Sequence, residues 1–148
     1  MADYPDGKKL DRDAVIDIAC EIWIPAARPD VIDEDNVHRL KAKLVIEGAN
    51  IPITDGAEKY LYEKGVLYVP DFIANAGGVT MEYQGSCQSL AFQAIEEKLR
   101  RNTRLVLEDA ATKGILPRKA AVDLAVQRLK KSMSYRRWSL FSSAPGFV

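Results

Sequence analysis

The stretch from Lys43 to Val79, KLVIEGANIPITDGAEKYLYEKGVLYVPDFIANAGGV, constrains the fold more than any other part of the chain, because few architectures accept its signals in this order. Leu44 to Ile46 is an apolar run long enough for a buried parallel strand and too short for a helix, and Gly48-Ala49-Asn50 ends it. Thr54 supplies a helix cap, and from Asp55 to Lys64 the apolar positions Ala57, Tyr60 and Leu61 fall at helical spacing. Gly65 sits where a left-handed C-terminal cap is wanted, and Val66 to Val69 resume a buried strand. This is one complete βαβ unit, which requires a parallel sheet.

The flanks extend that unit. Asp11 to Ile18 predicts a short helix capped by Asp11 or Asp13, leading into a strand from Glu21 to Ile24 that stops at Pro25, because the residue before a proline favours extended backbone. Val37, Leu40 and Ala42 mark a second short helix crossing to Leu44, so three parallel strands joined by right-handed helical crossovers are the economical topology. After Gly77-Gly78 the period changes. Leu90, Phe92, Ile95, Leu99, Val106 and Ala110 predict a long amphipathic helix from Ser89 to Lys113, and Pro117 starts another, with Ala120, Ala121, Leu124, Ala125, Leu129 and Met133 on its apolar face to about Tyr135. Lys130, Lys131, Arg136 and Arg137 near its end suit a helix C-terminus, where cations are favoured. Met1 to Lys9 reads as a frayed leader or a cut surface left by removal of upstream sequence, and Trp138 to Val148 as an irregular strap.

Composition narrows the function classes. Lysine plus arginine equals aspartate plus glutamate, at 21 each, which argues against nucleic acid as a general partner. No apolar run approaches the length of a membrane span or signal peptide, so a cytoplasmic location is expected. Cys20 and Cys87 have no metal-ligand spacing, and His38 is the only imidazole, so the cysteines read as buried thiols and no metal site is expected.

In an open parallel sheet, ligands settle outside the carboxyl ends of the strands. Asn50 and Asn75 each follow a strand there, and an amide offers both donor and acceptor to a ribose hydroxyl or a carboxamide. Taken alone, each reads first as a turn-forming asparagine that bonds its own backbone. Gly77 and Gly78 allow close backbone approach by a ligand or by a packed helix.

Three motifs, each closing a predicted strand, carry a family likeness: IWIPAARPDVI (Ile22 to Ile32), EGANIPIT (Glu47 to Thr54) and VPDFIANAGGVT (Val69 to Thr80). Together they resemble the glutamate, leucine, phenylalanine and valine dehydrogenases, most of all the glutamate enzymes, from about Asp17 onward. The resemblance implies an α/β fold: the C-terminal half of a Rossmann-like nucleotide-binding domain, about three parallel strands with crossover helices, followed by two C-terminal helices. The expected organisation is a disordered leader over residues 1–10, the partial NAD(P)-binding domain over 11–88, and helices packing on it over 89–148.

By the same resemblance, Asn50 and Asn75 match family asparagines near the nicotinamide ribose, Ala26 a cofactor-facing loop, Gly77 a cofactor-side turn, and Val79 the wall of the substrate side chain. Glu82 stands where the family usually has a small hydroxyl residue that helps hold the substrate, so Glu82 is a substrate-side candidate whose carboxylate would repel an acidic side chain unless a cation neutralised it. No G-x-G-x-x-G occurs in the 148 residues, and the family's lysine- and aspartate-bearing substrate domain has no counterpart, so no catalytic residue is assigned. The implied function is the nicotinamide-side part of an NAD- or NADP-dependent amino acid dehydrogenase performing oxidative deamination, inactive alone and binding the cofactor weakly or not at all. The alternative is a non-catalytic nucleotide-binding or oligomerisation module. An amino acid or 2-oxo acid is the implied substrate of the complete enzyme. Homo-oligomerisation is expected, because the strand at Glu21 to Ile24 is left with an uncovered edge.

Overall fold

Three short strands, β1 (Ile22–Trp23), β2 (Leu44–Ile46) and β3 (Leu67–Val69), pair in parallel in the order β1-β2-β3, with Ile22 opposite Leu44 and Leu44 opposite Leu67. The computed structural model describes residues 7, 9–77 and 88–135. Within the chain, Met1–Asn75 and Ala76–Val148 form two compact units.

In the first unit the strands stop where the local chemistry dictates. β1 is two residues rather than the four anticipated, with Ile24 turned out at 57% exposure just before Pro25, a residue that cannot donate to a ladder. The helix anticipated at Asp11 to Ile18 is a 3₁₀ helix at Arg12–Asp17, and Asp11 at its start makes no side-chain capping bond. The one anticipated at Val37 to Ala42 is a single 3₁₀ turn, Val37–Arg39. Two features confine it. Asp33 Oδ1 accepts from the amides of Asp35 and Asn36 at 3.0 Å each, forming a local turn before it, and Leu40 is already extended because β2 begins four residues later.

The crossover from β2 to β3 follows the pattern of its residues. Helix α1 (Asp55–Glu63) is capped by Thr54, whose Oγ1 accepts from Ala57 N at 3.3 Å. It ends in a Schellman arrangement: Gly65 has φ +72°, Gly65 N donates to Tyr62 O at 3.0 Å, and Val66 N donates to Leu61 O at 2.9 Å. Its buried face sets Ala57 and Leu61 against Ile16, Ile32, Val37, Val45, Ile53 and Tyr68, and burial of one such aliphatic side chain is worth about 1.5–3 kcal/mol. Tyr68 carries a polar tip into this core and donates its hydroxyl to Glu58 Oε2 at 3.2 Å. After β3, a single turn of helix, α2 (Asp71–Ala74), leads to Asn75.

The second unit contains two long helices, α3 (Gln88–Lys113) and α4 (Pro117–Ser134). Gly114, with φ +63°, closes α3, while Ile115 N donates back to Ala110 O at 3.1 Å, and Pro117 occupies the first position of α4, where its missing N–H costs nothing. The buried positions are small: Ala91, Val106 and Ala110 on α3, and Pro117, Ala120 and Ala121 on α4. Phe92 and Leu129, assigned to apolar faces from their spacing, are more than half exposed at 53% and 57%. Helical spacing identifies a face but not what covers it. The outer surfaces carry i,i+4 ion pairs between Arg100 and Glu96, Lys113 and Asp109, and Lys119 and Asp123. Among the described residues, no helix is long and apolar enough to cross a membrane. The strap from Trp138, together with Arg136 and Arg137, lies outside the described residues.

Candidate functional site at the carboxyl edge of the sheet

Because the three strands are parallel, their carboxyl ends open at one edge, and the three loops that leave them meet there. The first loop is Pro25-Ala26-Ala27, the second runs from Glu47 to Thr54, and the third from Pro70 to Asn75. The first two approach so closely that a Cβ on Gly48 would lie 3.1 Å from Ala26 Cβ and 3.3 Å from Ile24 Cγ2, and Ala49 N donates to Pro25 O at 2.8 Å. Downstream, the backbones of Asp30 to Ile32 and Ile51 to Thr54 are laced together. Asp30 N donates to Ile51 O at 3.0 Å, Val31 N to Pro52 O at 2.9 Å, and Thr54 N to Ile32 O at 3.0 Å, around a parallel bridge between Ile32 and Ile53.

The second and third loops are joined by side chains. Asn75 Nδ2 donates to Asn50 Oδ1 at 2.7 Å, so the two asparagines singled out from the sequence are in contact, twenty-five positions apart in the chain. The bond uses one of Asn75's two amide hydrogens and one lone pair of the Asn50 oxygen, and each amide retains further donor and acceptor capacity. Beneath them lie two carboxylates that the sequence reading passed over. Glu47 is fully buried and its Oε2 accepts from Asp71 N at 3.1 Å; Asp71 is 6% exposed and its Oδ2 accepts from Ile51 N at 2.9 Å. The available signal was an acidic residue one position past β2 and two past β3, where burial demands a donor.

Ala26 stands exposed on the first loop. Gly77 belongs to the second unit, where a Cβ at that position would come 3.3 Å from Ile95 Cγ2, which identifies at least a packing need for the missing side chain. Val79 and Glu82, with Gly78, lie outside the described residues. A cavity of about 450 Å³ shares Ala27 with the first loop and is walled by Trp23, Arg28, Asp30, Asn36 and Arg39; neither Asn50 nor Asn75 lines it. Asn50 is exposed and Asn75 half-buried. On the far wall of that cavity, Arg39 binds Asp17 through two bonds, Nε to Oδ1 at 2.9 Å and Nη2 to Oδ2 at 2.6 Å, and its guanidinium holds the Asp17 carboxyl below its ordinary range.

A parallel sheet with helical crossovers and loops gathered at its carboxyl edge defines an α/β chain of the class in which ligands settle outside the strand ends. Residues 1–137 match the family model described as Glutamate/Leucine/Phenylalanine/Valine dehydrogenase, and the chain belongs to that family. It is 40% identical over 144 residues to the NADP(+)-dependent glutamate dehydrogenase of Pyrobaculum calidifontis, covering 90% of this chain and 34% of that one. It is 35% identical over 134 residues to the NAD-specific glutamate dehydrogenase of Staphylococcus aureus, covering 84% of this chain and 32% of that one. Among solved structures, the hetero-hexameric glutamate dehydrogenase of Thermus thermophilus in its Leu-bound form superposes with a TM-score of 0.76 at 26% identity, covering 95% of this chain and 35% of that chain. The chain thus spans about a third of the length of the relatives it matches.

Proposed function

We propose that this chain supplies the nicotinamide side of the cofactor cleft in an NAD- or NADP-dependent amino acid dehydrogenase that oxidatively deaminates glutamate or a related amino acid. The single observation that carries this reading is the contact between Asn50 and Asn75 at the carboxyl edge, with the backbone of Ala26 drawn up beside Gly48. The residues suit the group. Two amides with spare donor and acceptor capacity match ribose hydroxyls and a carboxamide, and the nearby carboxylates of Glu47 and Asp71 are turned inward onto backbone amides. In such chemistry the bound nicotinamide accepts or returns the hydride, while the protein orients it. Asn50 and Asn75 would bind and orient, and Gly77 would let the backbone approach. By the family resemblance, Val79 would wall the substrate side chain, and Glu82 is a substrate-side candidate. The relatives named for NADP(+) and for NAD support both cofactors equally.

The proposal includes three further statements. The isolated chain performs no oxidative deamination, since none of its residues is assigned a catalytic role. It acts in the cytoplasm. It assembles with copies of itself; the hetero-hexameric relative supports oligomer formation in general, and the exposed Ile22 and Ile24 at β1 support pairing at its outer edge.

The test is a titration of the isotopically labelled chain with millimolar NADH and NADPH, followed by nuclear magnetic resonance. Fast-exchange shifts are expected at the side-chain amides of Asn50 and Asn75 and at the Ala26 amide, together with no glutamate-dependent NAD(P) reduction by the chain alone. Shifts confined to other surfaces, or robust turnover, would overturn the reading.

A further inference from the structure

Asn50 is followed by a residue in a conformation its side chain does not favour. Ile51 is β-branched, 59% exposed, and has φ +48°, in the left-handed region that such residues almost never enter. An exposed isoleucine draws little from packing, so the conformation must be imposed through the backbone. Both polar groups of that residue are held: Ile51 N donates to Asp71 Oδ2 at 2.9 Å, and Ile51 O accepts from Asp30 N at 3.0 Å.

Asp71 begins the short helix α2, where a carboxylate ordinarily serves its own first turn. Here Oδ2 instead reaches across 20 positions to Ile51. Its backbone is fixed at both ends of the residue. Asp71 N donates to Glu47 Oε2 at 3.1 Å, and Asp71 O accepts from Asn75 N at 2.7 Å. One buried residue is therefore bonded to the peptide that follows Asn50 and to the peptide that carries Asn75.

We propose that Asp71 is a positioning residue: clamped by Glu47, its carboxylate holds Ile51 in the left-handed turn and its carbonyl holds Asn75, so that the two asparagine side chains meet as an oriented pair. The meaning of that pair for a cofactor rests on the function proposed above; the clamp does not. Any carboxylate-sized acceptor at position 71 could hold Ile51, whereas an alanine could not. The strained turn then relaxes and Asn50 swings away from Asn75.

The experiment compares the wild type with Asp71→Ala and Asp71→Asn, reading water exchange of the Asn75 side-chain amide and the Ile51 amide against core amides such as Val45. Asp71→Ala should raise Asn75 side-chain exchange about tenfold, the equivalent of one hydrogen bond, with Val45 unchanged. Asp71→Asn retains an acceptor oxygen and should stay within about threefold of the wild type. Should Asp71→Ala fail to fold, Glu47→Gln, which weakens the hold on Asp71 N while keeping the oxygen, must raise Asn75 exchange in the same direction. Unchanged Asn75 exchange in a folded Asp71→Ala chain, or in Glu47→Gln if only that variant folds, overturns the proposal. A parallel NADH titration separates the two ideas. Loss of the pair in Asp71→Ala with no NADH shifts even in the wild type leaves the positioning role standing and defeats the cofactor reading.

Discussion

In residues 9–75 the buried set includes Glu47, Glu58 and Asp71 among its aliphatic and aromatic side chains, whereas among the described side chains from Ala91 to Tyr135 it consists of Ala91, Val106, Ala110, Pro117, Ala120 and Ala121. The first unit places polar groups inside and must then give each a directional partner, as Tyr68 does for Glu58 and Asp71 N does for Glu47. Among its described residues the second buries no charged group, and three pairs lie along the helices at i,i+4. The difference follows from the work of each region. The loops at the sheet edge are laced only in part by backbone bonds, and side-chain bonds complete their shape. A helix satisfies its own backbone and asks only for a close neighbour.

The largest test of this contrast pairs a deletion in one unit with an insertion in the other. Leu61, 1% exposed, touches the shared core of the first unit, and Leu61→Ala should cost about 2–5 kcal/mol in chemical denaturation. Ala121, also 1% exposed, has no room to grow, and Ala121→Leu should cost about 1–3 kcal/mol through overpacking. A neutral Ala121→Leu would mean that the second unit is loosely packed and that the comparison fails.

A smaller effect of opposite sign is expected at Ile51. Its left-handed backbone costs about 1–2 kcal/mol for an L-residue, while the extra freedom of glycine in the unfolded chain costs about 0.5–1 kcal/mol. Ile51→Gly should therefore raise stability by roughly 0.5–1 kcal/mol, visible as a higher urea midpoint at constant slope. A lower midpoint would show that the isoleucine side chain contributes packing despite its exposure.

The smallest effect belongs to Asp17. The Arg39 hydrogen bond holds its carboxyl pKa below the ordinary value in the folded chain, so the pair contributes above the unfolded carboxyl's range and is lost as pH falls through the folded value. Both partners are substantially exposed, so the contribution is slight. Asp17→Asn should lower the thermal midpoint slightly at pH 6, with the gap closing below about pH 4. A gap that persists in acid would assign the effect to packing rather than charge.

Much of the first unit was legible because its signals are local. Thr54 reaches only three residues forward to cap α1, Gly65 closes the same helix, and β2 and β3 are bounded by glycine and proline. The short 3₁₀ turn at Val37–Arg39 was harder, because helical spacing at Val37, Leu40 and Ala42 competes with the need for extended backbone at Leu40. Asn50 and Asn75 were legible as loop positions, but their contact was not, and Asp71 and Glu47 were missed. Their partners lie 20 and 24 residues away, a separation that no local pattern encodes. Ile51 carries no local signal of its backbone, since a β-branched residue argues against the left-handed turn that it occupies.

The bonds that form the asparagine pair connect positions 20, 24 and 25 residues apart, and none can close before β2 and β3 are side by side. The edge therefore has no existence independent of the sheet. A ligand held there draws its affinity from the fully folded first unit, so by mass action it stabilises that unit as a whole by RT ln(1 + [L]/Kd), and a shift in unfolding midpoint becomes a direct assay of occupancy. Conversely, a substitution deep in the core weakens binding in proportion to the folded fraction that it removes, without touching a single loop residue.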